Sequence, residues 1–135
     1  YTTLFRSQVF HILLAEDNLV NRKVALAMLS KYDLTVEAVE NGLEVLDALG
    51  ETEYDLILMD VQMPEMDGLE ATQEIRKFQK DALNYQIPIV ALTAHAMKGD
   101  RERCIDAGMN DYLSKPIQPE ELTEVLEKWI PKQAG

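Results

Sequence analysis

Short apolar runs recur along the chain at Ile12–Ala15, Leu34–Val39, Leu56–Met59, Ile89–Leu92 and Tyr112–Leu113, and each is followed by a segment long enough for a helix. The first, third and fourth runs are nearly continuous rather than alternating. Strands covered on both faces of a parallel sheet read this way. Between the runs the apolar residues change to helical spacing. Val20, Val24, Ala27 and Met28 predict one apolar helix face, and Leu122, Val125, Leu126, Trp129 and Ile130 predict another. Asn41 with Glu44, and Asp67 with Glu70, have the spacing of capping boxes. Gly108 is placed to end a helix and Pro119 to begin one. Strand and helix therefore alternate five times, which predicts an open α/β sheet with helices on both faces. In such a sheet the functional site lies at the carboxyl ends of the strands, near the point where strand order reverses.

Composition narrows the function. The chain has 135 residues, the size of one compact domain. Its 24 acidic and 13 basic residues give a net charge of −11, which repels nucleic-acid phosphates and suits cations and basic partner surfaces. Cys104 is the single cysteine, so neither a disulfide framework nor a cysteine metal cluster can form. It is expected to be a small buried hydrophobe. No apolar run approaches the roughly 20 residues of a membrane span, so no direct membrane insertion is expected. The folded unit is expected over residues 9–131, with 1–8 as linker or vector-derived sequence and 132–135 as a C-terminal tail.

The strand ends carry the chemistry. The first run closes on Glu16-Asp17-Asn18, the third on Asp60, the fourth on Thr93 and the fifth on Ser114-Lys115-Pro116. The predicted sheet gathers these groups at one edge. Crowded carboxylates repel one another and favour a hard cation. Glu16, Asp17 and Asp60 suit Mg²⁺, with Mn²⁺ as the alternative. A carboxylate can also act as a nucleophile toward phosphorus and form an acyl phosphate. Phosphoryl transfer then needs positioning and charge neutralisation, for which Lys115 offers a cation and Thr93 a hydroxyl. Asp60, at the end of the central apolar run, is the nucleophile candidate. Isolated acids at strand ends would merely be solvated. Acids at two ends, joined by a hydroxyl and an ammonium at two others, argue for a site.

These residues bring a family into view. Leu14-Ala15-Glu16-Asp17-Asn18, the stretch from Leu58 through Asp60 and Gln62 to Asp67-Gly68, Leu92-Thr93-Ala94, and Tyr112-Leu113-Ser114-Lys115-Pro116 resemble a response-regulator receiver domain. The resemblance runs from about Val9 to Trp129. The stretches from Thr93 to Met97 and through Pro116-Ile117 resemble receivers attached to hybrid sensor histidine kinases. The resemblance implies a flavodoxin-like (βα)5 fold, a doubly wound five-stranded parallel sheet. It implies that Asp60 is phosphorylated and that Glu16, Asp17, Asp60 and the Gln62 backbone carbonyl hold Mg²⁺. Thr93 would bond the phosphoryl group and Lys115 would form an ion pair with it. Tyr112 would be the aromatic ring that changes rotamer as Thr93 shifts, altering the surface of the fourth helix, fifth strand and fifth helix. Gln62 and His95 would tune the lifetime of the acyl phosphate, and the Lys115–Pro116 peptide would be cis.

The resemblance further implies a switch that catalyses its own phosphorylation and dephosphorylation. Its partner would be a histidine kinase domain or a histidine phosphotransfer protein. Its setting would be cytoplasmic, tethered to the inner membrane through a parent sensor kinase. Three other functions fit the same architecture. A nucleotide- or flavin-binding module would need a glycine- or hydroxyl-rich loop after the first strand, where Glu16-Asp17-Asn18 stands. An aspartyl phosphatase would carry a second acid two residues after its nucleophile, where Gln62 stands. A purely structural interaction domain would be indifferent to Mg²⁺ and to phosphodonors.

Overall fold

The computed structural model describes residues 10–77, 86–94 and 97–130. Five strands alternate with five helices: β1 (Phe10–Ala15), α1 (Leu19–Leu29), β2 (Leu34–Val39), α2 (Gly42–Glu51), β3 (Leu56–Asp60), α3 (Gly68–Lys77), β4 (Ile89–Thr93), α4 (Lys98–Ala107), β5 (Asp111–Ser114) and α5 (Pro119–Trp129). The strands form one parallel sheet in the order β2-β1-β3-β4-β5. The expected flavodoxin-like arrangement is thus the observed one. The chain winds outward from β1 to β2, then crosses back to β3, so the reversal lies between β1 and β3. The domain boundaries drawn at residues 9 and 131, the leading segment 1–8 and the tail 132–135 lie outside the described residues.

The continuous apolar runs behave as their composition demands. All five residues of β3 and all five of β4 are buried. Alternate residues face opposite layers. Leu13, Ala15, Ile57, Met59, Ile89 and Ala91 join one core with Val45, Leu49, Ala71 and Ile75 of α2 and α3. Ile12, Leu14, Leu56, Leu58, Val90 and Leu92 join the other with Ala25 and Leu29 of α1 and Leu122, Val125 and Leu126 of α5. Each large aliphatic side chain so buried contributes roughly 1.5–3 kcal/mol. β2, at the sheet edge, is only partly covered, and its residues are all exposed or half-buried.

One apolar face was misplaced by periodicity. Val20 and Val24 are 67% and 47% exposed, Ala27 is exposed and Met28 half-buried, while Ala25 and Leu29 face the sheet. Two apolar stripes run along α1, and spacing alone does not choose between them. The start of the helix does. The Asn18 side chain accepts the Asn21 N–H, and Arg22 reaches back to the Glu16 carbonyl, which turns positions 22, 25 and 29 inward.

The helix ends follow the expected chemistry. Asp67 and Glu70 form a reciprocal capping box, with Glu70 N–H on Asp67 Oδ1 at 2.8 Å and Asp67 N–H on Glu70 Oε1 at 3.3 Å. At α2, Asn41 Oδ1 accepts the Glu44 N–H, but the Glu44 carboxylate takes the N–H of Glu40, one residue earlier than expected. Gly108 ends α4 with φ of 112°, a left-handed conformation that glycine adopts without strain. Pro119 opens α5. Trp129 packs on the second core and also donates its indole N–H to Asp111 Oδ2 at 2.9 Å, a polar bond that the helical pattern did not reveal.

Candidate metal and phosphoryl site

The carboxyl ends of β1, β3, β4 and β5 open into a cleft of about 640 Å³. Glu16, Asp17, Asp60, Gln62, Thr93 and Lys115 all line it. Glu16 and Asp60 are 2% and 5% exposed, whereas Asp17 is exposed. The ligand oxygens of these three acids lie within 4.8 Å of one another. An all-oxygen set of this kind, partly buried and partly open to the cleft, fits a hard divalent cation that keeps part of its water shell.

Lys115 holds the acids together. Its Nζ lies 2.8 Å from Asp60 Oδ2 and 2.9 Å from Glu16 Oε1. Glu16 Oε2 also accepts the Asn18 N–H at 3.1 Å, and Asp60 Oδ1 accepts the Gln62 N–H at 3.2 Å. The pair divides its charge unevenly. Burial, together with the Glu16 carboxylate, pushes the Asp60 carboxyl up to about 6 against the pull of Lys115. Burial also resists ionisation of Glu16, but its hydrogen bonds to Lys115, Asp60 and Asn18 outweigh that and hold it below the usual carboxylate range. Burial lowers and the two acids raise Lys115, and the acids prevail. Two carboxylates sharing one cation thus leave Asp60 the more basic of the two.

Thr93 ends β4 and is buried beside the cleft, with its carbonyl accepting the Lys115 N–H at 2.8 Å. The Lys115–Pro116 peptide is cis. Gln62 is exposed, and its backbone N–H is the group that reaches Asp60. Tyr112 stands apart from the acids. It pairs with Ala91 in the β4–β5 register, two residues before the Thr93–Ser114 pair, so it shares a sheet face with Thr93. Its ring is half-buried against the first core, and the Arg101 guanidinium lies 4.6 Å from the ring centroid. His95 lies outside the described residues. Cys104 is buried on the cleft wall, and burial pushes its thiol up, so it packs as an inert hydrophobe.

Two features of the site escaped sequence reasoning. Gly68 is required by contact: a Cβ there would sit 2.2 Å from the Asp60 carbonyl oxygen. The start of α3 therefore presses against the end of β3, and the Gly68 N–H donates to Val61 at 3.0 Å. The Asp67-Gly68 pair was legible as a helix start, but not as a close approach. Arg22 was the other. Its Nη1 donates to the Glu16 carbonyl at 2.9 Å, across six residues, a separation that matches no regular spacing.

Comparison with known proteins agrees with this fold. The family model described as the response regulator receiver domain matches residues 12–127. Hybrid signal transduction histidine kinase I of Dictyostelium discoideum is 43% identical over 90% of this chain, and sensor protein GacS of Pseudomonas syringae is 41% identical over 91%. The chain spans only 7% and 14% of those two proteins. The crystal structure of the receiver domain of a Pseudomonas aeruginosa sensor histidine kinase, with a magnesium ion coordinated in its active-site cleft, is 46% identical with a TM-score of 0.80, covering 90% of this chain and 97% of that one. The receiver domain of the Saccharomyces cerevisiae response regulator Ssk1, solved together with the histidine phosphotransfer protein Ypd1, gives 31% and 0.82, covering 90% and 88%. Ordered strand-end motifs, a shared fold and sequence identity over nearly the whole length lead to one conclusion: this chain belongs to the response regulator receiver domain family of two-component signalling.

Proposed function

We propose that the chain accepts a phosphoryl group from phosphohistidine onto the carboxylate of Asp60 and changes its surface in response. The observation that carries this reading is the arrangement around Asp60, a buried carboxylate bonded to Lys115 at 2.8 Å and within 4.8 Å of two further acids. An Asp60 oxygen forms its bond to phosphorus as the donor's phosphorus–nitrogen bond breaks, and the released imidazole keeps the electron pair and takes up a proton. Glu16, Asp17, Asp60 and the Gln62 carbonyl would hold Mg²⁺, which would supply positive charge against the phosphoryl oxygens. Lys115 is already beside the acceptor and follows the transferred charge. Thr93 donates its hydroxyl to a phosphoryl oxygen from the end of β4. Gln62 and His95 set how readily water reaches the acyl phosphate.

Phosphorylation adds close to two negative charges and three acceptor oxygens at this point. Thr93 moves toward them, and Tyr112, on the same sheet face, turns into the space it leaves. Its half-buried position and its contact with Arg101 support a ring with two settings. The readout is the surface of α4, β5 and α5.

The donor is a histidine kinase domain or a histidine phosphotransfer protein. Leu19, Val20 and Val24 are exposed on α1, immediately after the acidic loop, and Met97 is 72% exposed after β4. This apolar rim beside a charged cleft suits a helical partner that brings its histidine to Asp60. The net charge of −11 opposes nucleic acid as a partner. Among the described residues no helix is long and apolar enough to cross a membrane. We place the domain in the cytoplasm, tethered at the inner membrane through a parent sensor kinase.

The test is to supply a phosphorylated phosphotransfer protein, trap the acyl phosphate by borohydride reduction, and map the modified residue. Homoserine at position 60 is expected. Modification elsewhere, with Asp60 intact, would overturn the assignment.

A further inference from the structure

We infer that Arg22 is a positioning residue for the cation site, fixing the backbone that carries Glu16 and Asp17. The inference rests on the reading of those acids as metal-side groups. β1 pairs with β3 only as far as Ala15 opposite Met59, so Glu16 lies just beyond that ladder. Its N–H is still held by the Val39 carbonyl at 3.0 Å on the β2 side. Its carbonyl is held by Arg22 Nη1 at 2.9 Å. Arg22 is itself anchored in the first turn of α1, where its N–H donates to Asn18 at 2.9 Å. The guanidinium thus ties the helix to the one peptide that joins the two adjacent acids. Without it, repulsion among Glu16, Asp17 and Asp60 is free to rotate that peptide and spread their oxygens beyond the 4.8 Å within which they now lie.

Charge and geometry make opposite demands here, which renders the inference testable. Arg22 is a cation near a site for a cation. Coulomb repulsion alone predicts that removing it tightens Mg²⁺ binding. A positioning role predicts that removal weakens it, by the order of tenfold seen when an outer partner of a metal ligand is lost. Arg22→Lys keeps the charge but loses the planar fork that reaches the carbonyl, so positioning predicts weaker binding in that variant too. Lys23 is exposed on the same helix, and Lys23→Met removes an equal charge without touching the loop.

The experiment is calorimetric titration of Mg²⁺ into the unphosphorylated wild-type protein and into Arg22→Met, Arg22→Lys and Lys23→Met, with thermal midpoints in chelator as the fold control. The expected result is about tenfold weaker binding in Arg22→Met, weaker binding in Arg22→Lys, and equal or tighter binding in Lys23→Met. Equal or tighter binding in Arg22→Met overturns the inference while leaving the proposed function standing. Should that variant fail to fold, unchanged affinity in Arg22→Lys overturns it instead. No Mg²⁺ binding by the wild type removes the reading on which the inference rests, and the inference with it.

Discussion

The two ends of the sheet use the same acidic and amide residues to opposite effect. At the amino ends Asp55, Asn110 and Asp111 each have their own partners. Asp55 Oδ2 accepts the His11 N–H at 2.8 Å, and the Asp55 N–H returns to the His11 carbonyl at 2.8 Å. Asn110 Oδ1 accepts the Ile89 N–H at 2.8 Å and Arg76 Nη2 at 2.9 Å. Asp111 Oδ2 accepts the Trp129 indole at 2.9 Å. At the carboxyl ends Glu16, Asp17 and Asp60 crowd together, and among the described residues Lys115 alone bridges two of them. A polar group with its own donors stabilises the fold, whereas acids that share one cation store repulsion that a ligand can release. What marks a functional site here is crowding rather than residue type.

Substitutions at the two ends sharpen that contrast. The largest effect belongs to Lys115. Lys115→Met leaves Glu16 and Asp60 without their shared cation, and the rate of phosphoryl acceptance should fall by about 10²–10³. Asp55→Asn, at the other end, should leave that rate within about twofold. Intact-mass time courses with one phosphodonor measure both, and equal losses would erase the distinction between the ends.

The next effect is one of stability and has a defined sign. The Asp60 carboxyl is pushed up to about 6 from 3.8, so the native state favours its neutral form. The stability associated with that group is fully present below its unfolded value and is lost as pH rises through the folded one. Asp60→Asn should therefore raise the thermal midpoint in chelator at pH 7.5, by roughly 3–5 °C for each kcal/mol of relieved repulsion. The advantage should shrink toward pH 4. A lower midpoint for Asp60→Asn at pH 7.5 would show that Lys115 more than compensates the crowding.

The smallest effect lies on the amino-end side. Tyr54 donates its hydroxyl to Glu37 at 2.8 Å, and burial together with Glu37 pushes the phenol up to about 12 from 10.0. Its stabilisation is present below the unfolded value and is lost as pH rises through the folded one. Tyr54→Phe should cost about 1 kcal/mol at neutral pH and flatten the loss of stability between pH 10 and 12. Parallel denaturation curves for the two proteins across that range would contradict this.

The same contrast explains what the sequence disclosed. The alternation of strand and helix and the gathering of Glu16, Asp17, Asp60, Thr93 and Lys115 were legible, because continuous apolar runs mark buried parallel strands and such strands carry their terminal residues to one edge. Residues whose roles depend on three-dimensional approach were not. Gly68 looks like any glycine after a capping Asp until the Asp60 carbonyl is seen against it. Arg22 looks like a solvated helix cation until its Nη1 is seen on the Glu16 carbonyl. The buried face of α1 was misread because Val20 and Val24 are more apolar than Ala25, while the cap and the Arg22 tether decide which way the helix turns. Tyr54 stood outside every apolar run, yet it is 5% exposed and packs into the first core.

The central claim is that Asp60 is a phosphoryl acceptor served by a divalent cation. Its most direct test is the intact mass of the protein after incubation with acetyl phosphate, with and without Mg²⁺, beside Asp60→Ala. The account predicts a single phosphoryl adduct that requires Mg²⁺ and is absent from the variant. An adduct that persists in folded Asp60→Ala, or that forms equally well in chelator, would contradict it.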